Sequence, residues 1–300
     1  MQRKRLVLID ANSLIHRAYH ALPLLTTKKA EPVNAVYGFL LVFLKAIREF
    51  QPDFIAACFD SPGPTFRHKR FKEYKAKRPP TPKDLVSQIP KVKEVLAAFG
   101  VPIFEKKGFE ADDLIGTISK ISPPDIEVII LSGDMDILQL IDSRTKVFLL
   151  KRGIKNAHLY DQNRVKEEYG IFPSQIVDFK ALRGDPSDNI PGVAGIGEKT
   201  AIDLLKRFEN LEDLYRELEE NSEKAKKIRQ KIKELLLRHK KDAFLSKDLA
   251  KIKKDIPLRI GLEECSFEKY NRKKAIEGLK KFEFYSLTEK LPEPTLSLHF

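Results

Sequence analysis

The stretch that decides the fold runs from Gly108 to Leu140, where GFEADDLIG (108–116) is followed by EVIILSGDMDILQL (127–140). Within it, Val128 to Leu131 is a short, continuous apolar run that is ended by Ser132-Gly133. Such a run predicts a strand that is buried on both faces of a parallel sheet. Asp134 and Asp136 follow directly, at the carboxyl edge where open α/β sheets bind their ligands.

Three further acids, Glu110, Asp112 and Asp113, precede the apolar residues from Leu114 to Ile118. This order predicts the first turn of an amphipathic helix, with Glu110 and Asp113 on one face. Taken one at a time, each of these acids is better explained as a helix cap or as a charge that complements the helix dipole. A functional interpretation therefore depends on finding the same arrangement elsewhere in the chain.

Two more apolar runs end in an aspartate. Leu6 to Ile9 is followed by Asp10, and Phe54 to Phe59 is followed by Asp60. We predict that both runs are parallel strands, so that three strands deliver an Asp to the same edge of one sheet. Helical patterns over 36–50 and 91–99 alternate with these strands, as in a doubly wound α/β sheet.

The convergence of these acids predicts a metal site. Several carboxylates cannot all stay ionised within a few ångströms unless cations compensate them. Ligands that are all oxygen atoms favour Mg²⁺ or Mn²⁺ over zinc. His16 and His20 have helical i, i+4 spacing, but without a third soft ligand nearby they are more typical of an ordinary helix face.

The composition favours an intracellular protein with an anionic partner. Its 55 Lys and Arg outnumber 43 Asp and Glu, which gives a formal charge of +12, as in nucleic-acid-binding proteins. The 300 residues suit one large domain or two smaller ones. Two cysteines do not make a disulfide framework, and the apolar run after the N-terminus is too short for a signal peptide or a membrane span. We expect a cytoplasmic protein with no membrane association.

The most basic segment is FRHKRFKEYKAKR (66–78), which Pro79-Pro80 closes. On a helix, one side of this segment would carry Arg67, Arg70, Phe71, Tyr74, Lys75 and Arg78. A solvated charged helix is the plain alternative. Because aromatic residues alternate with cations close to Asp60, the segment favours contact with single-stranded nucleic acid, whose bases stack on rings while cations follow the phosphates.

After a further apolar strand over 146–150, the pattern becomes helical, and we predict a domain transition between 160 and 175. The stretch RGDPSDNIPGVAGIGEKTA (183–201) joins two helices and adds Asp185 and Asp188. Its glycines predict tight turns with exposed N–H groups that hold a phosphate. A P-loop is excluded because Glu198 separates the last glycine from Lys199 and no strand precedes it. The Lys-rich helical region from Ser222 to Leu249 suits a structural helix or a DNA contact equally well.

These motifs together resemble the 5′-nuclease family, which includes the 5′→3′ exonuclease domain of bacterial DNA polymerase I, phage 5′ exonucleases and flap endonucleases. The resemblance covers nearly the whole chain and rests on the following ordered segments: LIDANS (8–13), AVYGF (35–39), CFD (58–60), YKAKRPP (74–80), GFEADD (108–113), SGDMD (132–136), GDPSDNIPG (184–192) and GIGEKT (195–200). Ala11, Met135 and Ala194 depart from the usual family pattern. No polymerase portion accompanies these motifs, so we expect a stand-alone or excised 5′-nuclease.

The resemblance implies a PIN-like α/β fold with a mainly parallel twisted sheet, helices on both faces, a helical arch and a helix–three-turn–helix region. The implied domains are a catalytic domain (1–170) with the arch (66–90), a duplex-binding region (171–260) and a C-terminal helix and tail (261–300). The implied ligands of two Mg²⁺ or Mn²⁺ ions are Asp10, Asp60, Glu110, Asp112 and Asp134 for the first and Asp136, Asp185 and Asp188 for the second, and Asp113 is a further metal-binding candidate. Lys75 and Arg78 would assist at the scissile phosphate, and Tyr74 would stack on a base. The implied DNA contacts are Arg17, Arg67, Arg70, Lys77, Gly192, Gly195, Gly197, Lys199 and Thr200, with K⁺ as an additional ion at the duplex site.

The expected activity is structure-specific 5′→3′ exonuclease and 5′-flap endonuclease hydrolysis that gives 5′-phosphate products during replication primer removal and repair. We expect a monomer that acts on 5′ flaps and on nicked or primer-bearing duplexes, including RNA primers, alongside a separate DNA polymerase. Two alternatives stay open: a metal-dependent ribonuclease of the related PIN type, and a DNA-binding module of the same fold that has lost its activity. The glycine-rich region and the basic segment speak against the first, and the complete set of acids speaks against the second.

Overall fold

A computed structural model of the chain describes residues 3–154 and 156–293. The strands are β1 (Arg5–Asp10), β2 (Phe54–Cys58), β3 (Ile103–Phe104), β4 (Glu127–Ser132), β5 (Thr145–Arg152) and β6 (Asn156–Tyr160). The helices are α1 (Ala11–Ala21), α2 (Asn34–Phe50), α3 (Phe66–Arg70), α4 (Lys83–Val86), α5 (Ile89–Ala98), α6 (Ala111–Ile121), α7 (Gln162–Tyr169), α8 (Ile176–Arg183), α9 (Glu198–Leu205), α10 (Leu211–Glu219), α11 (Glu223–Lys226), α12 (Gln230–Arg238), α13 (Lys240–Ala250), α14 (Arg272–Lys281) and α15 (Tyr285–Thr288). Short 3-10 helices cover Met135–Leu140, Pro173–Gln175, Leu262–Cys265 and Phe267–Lys269.

The six strands form one sheet in the order β3-β2-β1-β4-β5-β6. All neighbouring pairs are parallel except β5 and β6, which are antiparallel. The predicted mainly parallel sheet is therefore confirmed, with β1 at its centre between β2 and β4. Because these three strands are adjacent, their carboxyl ends lie side by side.

Helices cover both faces of the sheet, as predicted. Val7 and Ile9 of β1 belong to a core that α1, α2, α5, α14 and α15 complete, whereas Leu6 and Leu8 point to the opposite core with α6 and the helices from α8 to α13. Side chains alternate along a strand, so Asp10 continues the face of Leu6 and Leu8. Asp10 is consequently directed toward the side of the sheet that α6 covers.

The helical second half is confirmed: no strand follows Tyr160 within the part of the chain that the structure describes. The predicted long Lys-rich helix over 222–249 is instead divided into α11, α12 and α13, with breaks at 227–229 and at His239. Helix α13 packs along α8, so the end of this helical region lies against one of its first helices. From Ile256 onward the sequence pattern predicts a final strand or extended piece, a helix around Arg272 to Lys281 and a Pro-containing tail. The extended piece forms only an isolated bridge between Ser266 and Phe54, the helix is α14, and the tail lies partly outside the described residues.

The basic segment does not form the single helix that its pattern predicts. Helix α3 ends at Arg70 because Phe71 adopts extended backbone angles, and turns follow over 72–77. Lys75 has a positive φ of 56°, and its N–H donates to the carbonyl oxygen of Asp188 at 2.9 Å. Tertiary contacts with residues 188–190 thus override the local helical pattern. The expectation that six residues from 67 to 78 share one helix face is wrong.

The structure also contains features that the sequence did not reveal. Strand β3 has only two residues, and β6 is a half-exposed edge strand without a continuous apolar run. In the described part of the chain, none of the helices combines the length and apolar character needed to span a bilayer.

Candidate active site

The carboxyl ends of β1, β2 and β4 border a cleft of about 380 Å³. Asp10 is the last residue of β1, while Asp60 and Asp134 each lie two residues beyond the end of β2 and of β4. The start of α6 closes the cleft with Glu110 and Asp112. Five acids from four separate segments of the chain therefore line a single cleft, as predicted.

Asp10 is fixed by hydroxyl and backbone donors. Ser132 Oγ donates to its Oδ2 at 2.6 Å, and the N–H of Ser13 donates to its Oδ1 at 3.3 Å, which also caps α1. Burial raises the pKa of Asp10 to about 6, with smaller contributions from the nearby charges of Asp60 and Asp134. The two serines hold the carboxylate in place but do not supply a positive charge.

Asp60 connects the end of β2 to the start of α6. Its Oδ1 accepts a hydrogen bond from the N–H of Ala111 at 2.8 Å, while its own N–H donates to Asn12 Oδ1 at 3.1 Å. Desolvation raises the pKa of Asp60, and the charge of Glu110 adds to this shift. The side chain of Asp60 thus aligns two elements while facing the cleft.

Asp134 and Asp112 complete this acidic group. Asp134 caps the 3-10 helix Met135–Leu140 by accepting from the N–H of Asp136 at 2.9 Å, and its own N–H donates to Ser132 Oγ at 2.9 Å. The pKa of Asp112 lies well above its usual range, first because of burial and then because of Asp10 and Asp134. The raised pKa values of Asp10 and Asp112 indicate that protein cations do not fully compensate these two acids.

A second acidic group lies beside the first and consists of Asp136, Asp185 and Asp188. One carboxylate oxygen from each lies within 4.8 Å of the others, a spacing that could hold a metal ion. Asp185 Oδ1 is fixed by the N–H of Ser187 at 2.8 Å and by its hydroxyl at 2.6 Å. Burial raises the pKa of Asp136 to about 7 even though Lys180 opposes the shift.

Lys180 of α8 bridges this second group and was not singled out from the sequence. Its Nζ contacts Asp136 and lies 2.5 Å from Asp185 Oδ2. Burial alone would raise the pKa of Asp185, but the Lys180 ammonium more than offsets it and lowers that pKa to about 2. The signal that could have identified Lys180 is its position on the last turn of the helix that ends just before Asp185.

The turn over 71–78 places the two predicted catalytic cations, Lys75 and Arg78, in contact with acids of both groups. Lys75 Nζ donates to Glu110 Oε2 at 2.9 Å, and Arg78 forms an ion pair with Asp188. Burial would lower the pKa of Lys75, but Glu110 and Asp188 outweigh it and raise that pKa. The structure therefore places Lys75 and Arg78 at the junction of the two acidic groups.

Tyr74 does not have the role that the resemblance implied. Its side chain is only 3% exposed, and its hydroxyl lies 3.2 Å from both Glu110 Oε2 and Asp188 Oδ2. The ring packs in a small apolar cluster with Ile190 and Leu249. A buried ring with this packing is not available to stack on a base, so that expectation is corrected.

Asp113 and Arg67 form a buried ion pair behind the cleft, and Arg67 Nη1 also lies 3.5 Å from Glu110 Oε2. Arg67 Nη1 and Nη2 donate to the two oxygens of Asp113 at 2.8 and 2.9 Å, while its Nε donates to the carbonyl oxygen of Leu249 at 2.9 Å. Asp113 is 0% exposed and also accepts from the N–H of Lys253 at 2.9 Å. The expectations that Asp113 ligates metal and that Arg67 contacts DNA are therefore wrong, because both side chains are already paired inside the protein.

The expected duplex contacts fall into two groups. Gly195, Gly197 and Lys199 are exposed around the N-terminus of α9, and Thr200 is half-buried there. Gly192 is different because it is buried and its N–H donates to Ser246 Oγ at 2.9 Å. The expectation that Gly192 offers a free N–H group to a phosphate is corrected.

The remaining expected DNA contacts are Arg17, Arg70 and Lys77. The guanidinium of Arg17 lines the cleft but is engaged with the carbonyl oxygens of Gly133 at 2.5 Å and Lys151 at 3.1 Å. It therefore holds the loop that carries Asp134. Arg70 and Lys77 are exposed, and Arg70 pairs with Asp248 at 3.2 Å.

Comparison with protein families gives matches along most of the chain. The 5′-3′ exonuclease N-terminal resolvase-like domain matches residues 5–170, and the 5′-3′ exonuclease C-terminal SAM fold matches residues 171–273. DNA polymerase I of Bacillus subtilis (strain 168) is 43% identical over 293 residues, which are 97% of this chain and 33% of that protein. Thermostable DNA polymerase I of Thermus thermophilus is 40% identical over 279 residues, which are 93% of this chain and 31% of that protein. The chain thus spans about a third of the length of these relatives.

Solved structures support the same fold. T5 5′-exonuclease with bound divalent metal ions (zinc) matches with a TM-score of 0.65 and 21% identity, covering 93% of this chain and 97% of that one. The catalytic core of Rad2 in complex with DNA substrate matches with a TM-score of 0.57 and 16% identity, covering 96% of this chain and 90% of that one. At these identities the likeness establishes the architecture alone.

Proposed function

This chain belongs to the 5′-3′ exonuclease family, and from that premise we propose that it is a structure-specific nuclease with 5′→3′ exonuclease and 5′-flap endonuclease activity. Its products would carry 5′-phosphates. The observation that carries the proposal is the single cleft in which acids from four segments meet two cations, Lys75 and Arg78. Carboxylates and cations together suit a site that hydrolyses a phosphodiester with the help of divalent ions.

The residues present fit a pair of divalent ions. The donors are carboxylate oxygens, the ligands that Mg²⁺ and Mn²⁺ prefer. The ammonium groups of Lys75 and Lys180 already stand among these acids, which shows that the carboxylates accept a positive charge at both places. The first ion would be held by Asp10, Asp60, Glu110, Asp112 and Asp134, and the second by Asp136, Asp185 and Asp188. When bound, such ions supply a hydroxide nucleophile at neutral pH and stabilise the charge on the leaving oxygen.

The side chains of the turn over 71–78 would position the scissile phosphate. Lys75 and Arg78 contact Glu110 and Asp188, so a phosphate that enters the cleft meets both cations beside the two acidic groups. Their positive charges would stabilise the extra negative charge that develops on the phosphate during attack. Ser13 and Ser132 keep Asp10 in place throughout, and Arg17 does the same for the loop that carries Asp134.

We place duplex binding at the N-terminus of α9. Gly197 caps this helix, and exposed Gly195 and Lys199 flank it, so backbone N–H groups and a cation face the solvent together. A helix N-terminus of this kind favours phosphate, and K⁺ is the additional ion that the family resemblance implies here. Structures of the T5 flap endonuclease and of Rad2 contain DNA, and the relatives are DNA polymerases. The proposed substrates are therefore 5′ flaps and nicked or primer-bearing duplexes, including RNA primers, in replication and repair.

The proposed domain organisation keeps the boundaries given above. Residues 1–170 would carry the chemistry, 171–260 would bind duplex, and 261–300 would pack against the core. We further propose that the protein is cytoplasmic, acts as a monomer and works with a DNA polymerase activity.

One assay separates the proposal from its two alternatives. A 5′-labelled flap duplex, a nicked duplex and a single-stranded RNA are each incubated with the protein in Mg²⁺ or in EDTA. We expect cleavage of both DNA substrates in Mg²⁺ only, with 5′-phosphate on the products. Preferential cleavage of single-stranded RNA would instead indicate a PIN-type ribonuclease, and tight DNA binding without cleavage in either condition would indicate an inactive binding module.

A further inference from the structure

A second and larger groove, of about 1120 Å³, borders α3 and shares no lining residue with the carboxylate cleft. Phe66 and Arg70 of α3 line this groove, whereas Lys75 and Arg78 of the same basic segment line the cleft. None of the carboxylates assigned to metal binding borders the groove. The start of the segment 66–78 therefore borders this groove, and its end borders the cleft.

The groove has an excess of positive charge. Five lysines line it, and we call it the lysine groove: Lys69, Lys120, Lys251, Lys253 and Lys254. All five are exposed, and none of them forms an ion pair with a residue that the structure describes. Three acids also border the groove, namely Asp142, Asp248 and Asp255, and Asp248 is paired with Arg70 at 3.2 Å.

Three of the lysines are close enough to affect one another. Partial desolvation of the Lys254 ammonium lowers the pKa of Lys254, and the neighbouring charges of Lys120 and Lys251 lower it further, while Asp142 opposes the shift. Cations that disfavour one another in this way favour an anionic partner, since the partner's charge would relieve their repulsion.

The floor of the groove is apolar. Ile141, Val177, Leu249 and Ile252 contribute to it, and the half-buried ring of Phe66 stands at one wall. The Phe66 ring lies 4.4 Å from the Lys253 ammonium and 4.5 Å from the Arg67 guanidinium. Cations beside an apolar floor and an aromatic ring suit a single strand, which offers both phosphates and unstacked bases. A duplex would offer the phosphates but hide the faces of its bases.

We propose that the lysine groove binds the single-stranded 5′ tail of the substrate after it has passed the basic segment, with phosphates on the lysines and bases against the partly exposed side chains of Phe66 and Val177. This proposal rests on the proposed function, because it assumes a substrate whose junction lies at the carboxylate cleft. The groove would then act as a subsite for tail binding and take no part in the hydrolysis itself.

The test is a charge-reversal variant, Lys120→Glu/Lys251→Glu/Lys254→Glu, compared with Lys273→Glu/Lys274→Glu/Lys280→Glu. The control carries the same change of charge on exposed lysines of α14, remote from the lysine groove. Fluorescence anisotropy in EDTA measures the Kd of each protein for duplexes with no tail or with an oligothymidine 5′ tail of about 20 nucleotides. Single-turnover rates in Mg²⁺ on a one-nucleotide flap are measured at saturating protein.

We expect the groove variant to bind the tailed duplex at least about 10-fold more weakly. The slope of its log affinity against log salt concentration should be shallower by about 2, because three phosphate contacts of a single strand are lost. Its affinity for the tailless duplex and its single-turnover rate should stay within about 3-fold of the control variant.

Equal losses on tailed and tailless duplexes would overturn the proposal in favour of a duplex surface. An unchanged affinity for the tailed duplex would overturn it in favour of a groove that serves another partner, such as an acidic protein segment. Because tail binding is read from Kd values in EDTA, absence of cleavage by the unmodified protein would contradict the proposed function without deciding this inference.

Discussion

Asp112 and Asp113 are neighbours in the chain but occupy opposite environments. Asp113 is paired on both oxygens with Arg67 inside the protein, whereas Asp112 lies in the cleft among acids that raise its pKa. Both carboxylates sit in the first turn of α6, where either could be a cap or a ligand. The role of each carboxylate depends on the side of α6 from which it projects. The helical period separates the two sides, but it does not tell which side faces the cleft until the packing partners of the helix are known.

The pair gives a direct stability test. Asp113→Asn would leave the buried charge of Arg67 with Glu110 Oε2, at 3.5 Å, as its nearest carboxylate, and should lower the free energy of unfolding by up to about 3–5 kcal/mol. Asp112→Asn is the matched control and should leave the metal-free stability unchanged or slightly higher, because it removes one of several repelling acids. Urea denaturation in EDTA measures both, and a larger loss for Asp112→Asn than for Asp113→Asn would contradict the assignment.

The raised pKa values predict how stability depends on pH without metal. The pKa values of Asp10 and Asp136 are raised from 3.8 to about 6 and about 7 in the folded protein. The folded state therefore binds more protons than the unfolded chain between about pH 4 and 7, and stability in EDTA should fall as pH rises through this window. Each unit of pKa difference corresponds to about 1.4 kcal/mol.

Urea denaturation at intervals from pH 4.5 to 8 in EDTA checks this expectation. Asp136→Asn should flatten the upper part of the decrease, since it removes the group that titrates near 7. Excess Mg²⁺ at pH 8 should restore stability, because divalent ions would compensate the repelling acids. A metal-free stability that rises steadily across the window would show that the acids are compensated in some other way.

At the scale of elements, the basic segment shows where sequence reasoning succeeds and where it fails. The family resemblance implied that Lys75 and Arg78 of this segment act at the scissile phosphate, and both side chains line the acidic cleft. The helical projection was wrong because hydrogen bonding of Lys75 to the Asp188 carbonyl and burial of Tyr74 stabilise a turn instead. Contacts between residues more than a hundred positions apart leave no periodic trace in either segment.

The position of Lys75 on this turn makes a kinetic prediction. Lys75→Ala should slow cleavage by about 100- to 1000-fold, as loss of a single charge stabiliser does in other hydrolytic sites. Lys72→Ala is the matched control, because Lys72 is exposed on the same segment and borders neither the cleft nor the acids. Single-turnover rates at saturating protein measure the effect, and equal rates for the two variants would show that Lys75 has no catalytic role.

The glycine-rich loop between α8 and α9 contains two glycines with different requirements. Gly192 has a φ of 65°, and a Cβ there would lie 2.2 Å from the backbone nitrogen of Gly184. Gly197 has no atom within 4 Å of the same position. Gly192→Ala should therefore destabilise the loop and weaken duplex binding, whereas Gly197→Ala should leave the thermal stability almost unchanged. Thermal unfolding and duplex Kd values test this, and full tolerance of Gly192→Ala would contradict the close packing described here.

For the molecule as a whole, the sequence predicted most of the sheet and the convergence of its acids. Apolar runs that end in Asp10, Asp60 and Asp134 were sufficient, because parallel strands bring their carboxyl ends together. Strand β3 was missed because two residues carry no pattern, and Lys180 was missed because a lone lysine on a helix has many ordinary explanations. The pairing of Arg67 with Asp113 depends on tertiary packing and was assigned wrongly to DNA and metal.

The central claim is that acids from separate segments act as one centre for phosphodiester hydrolysis. Its most direct test is the single-turnover cleavage of a 5′-labelled flap duplex in Mg²⁺ by Asp134→Asn, with Asp125→Asn as an exposed control beyond the other end of β4. We predict that Asp134→Asn lowers the cleavage rate by more than about 100-fold and leaves the duplex Kd almost unchanged. Loss of a residue that only orients a metal ligand costs up to about 100-fold, so loss of a ligand itself should cost more. Asp125→Asn should cleave like the unmodified protein. Retention of the normal rate by Asp134→Asn would contradict the claim.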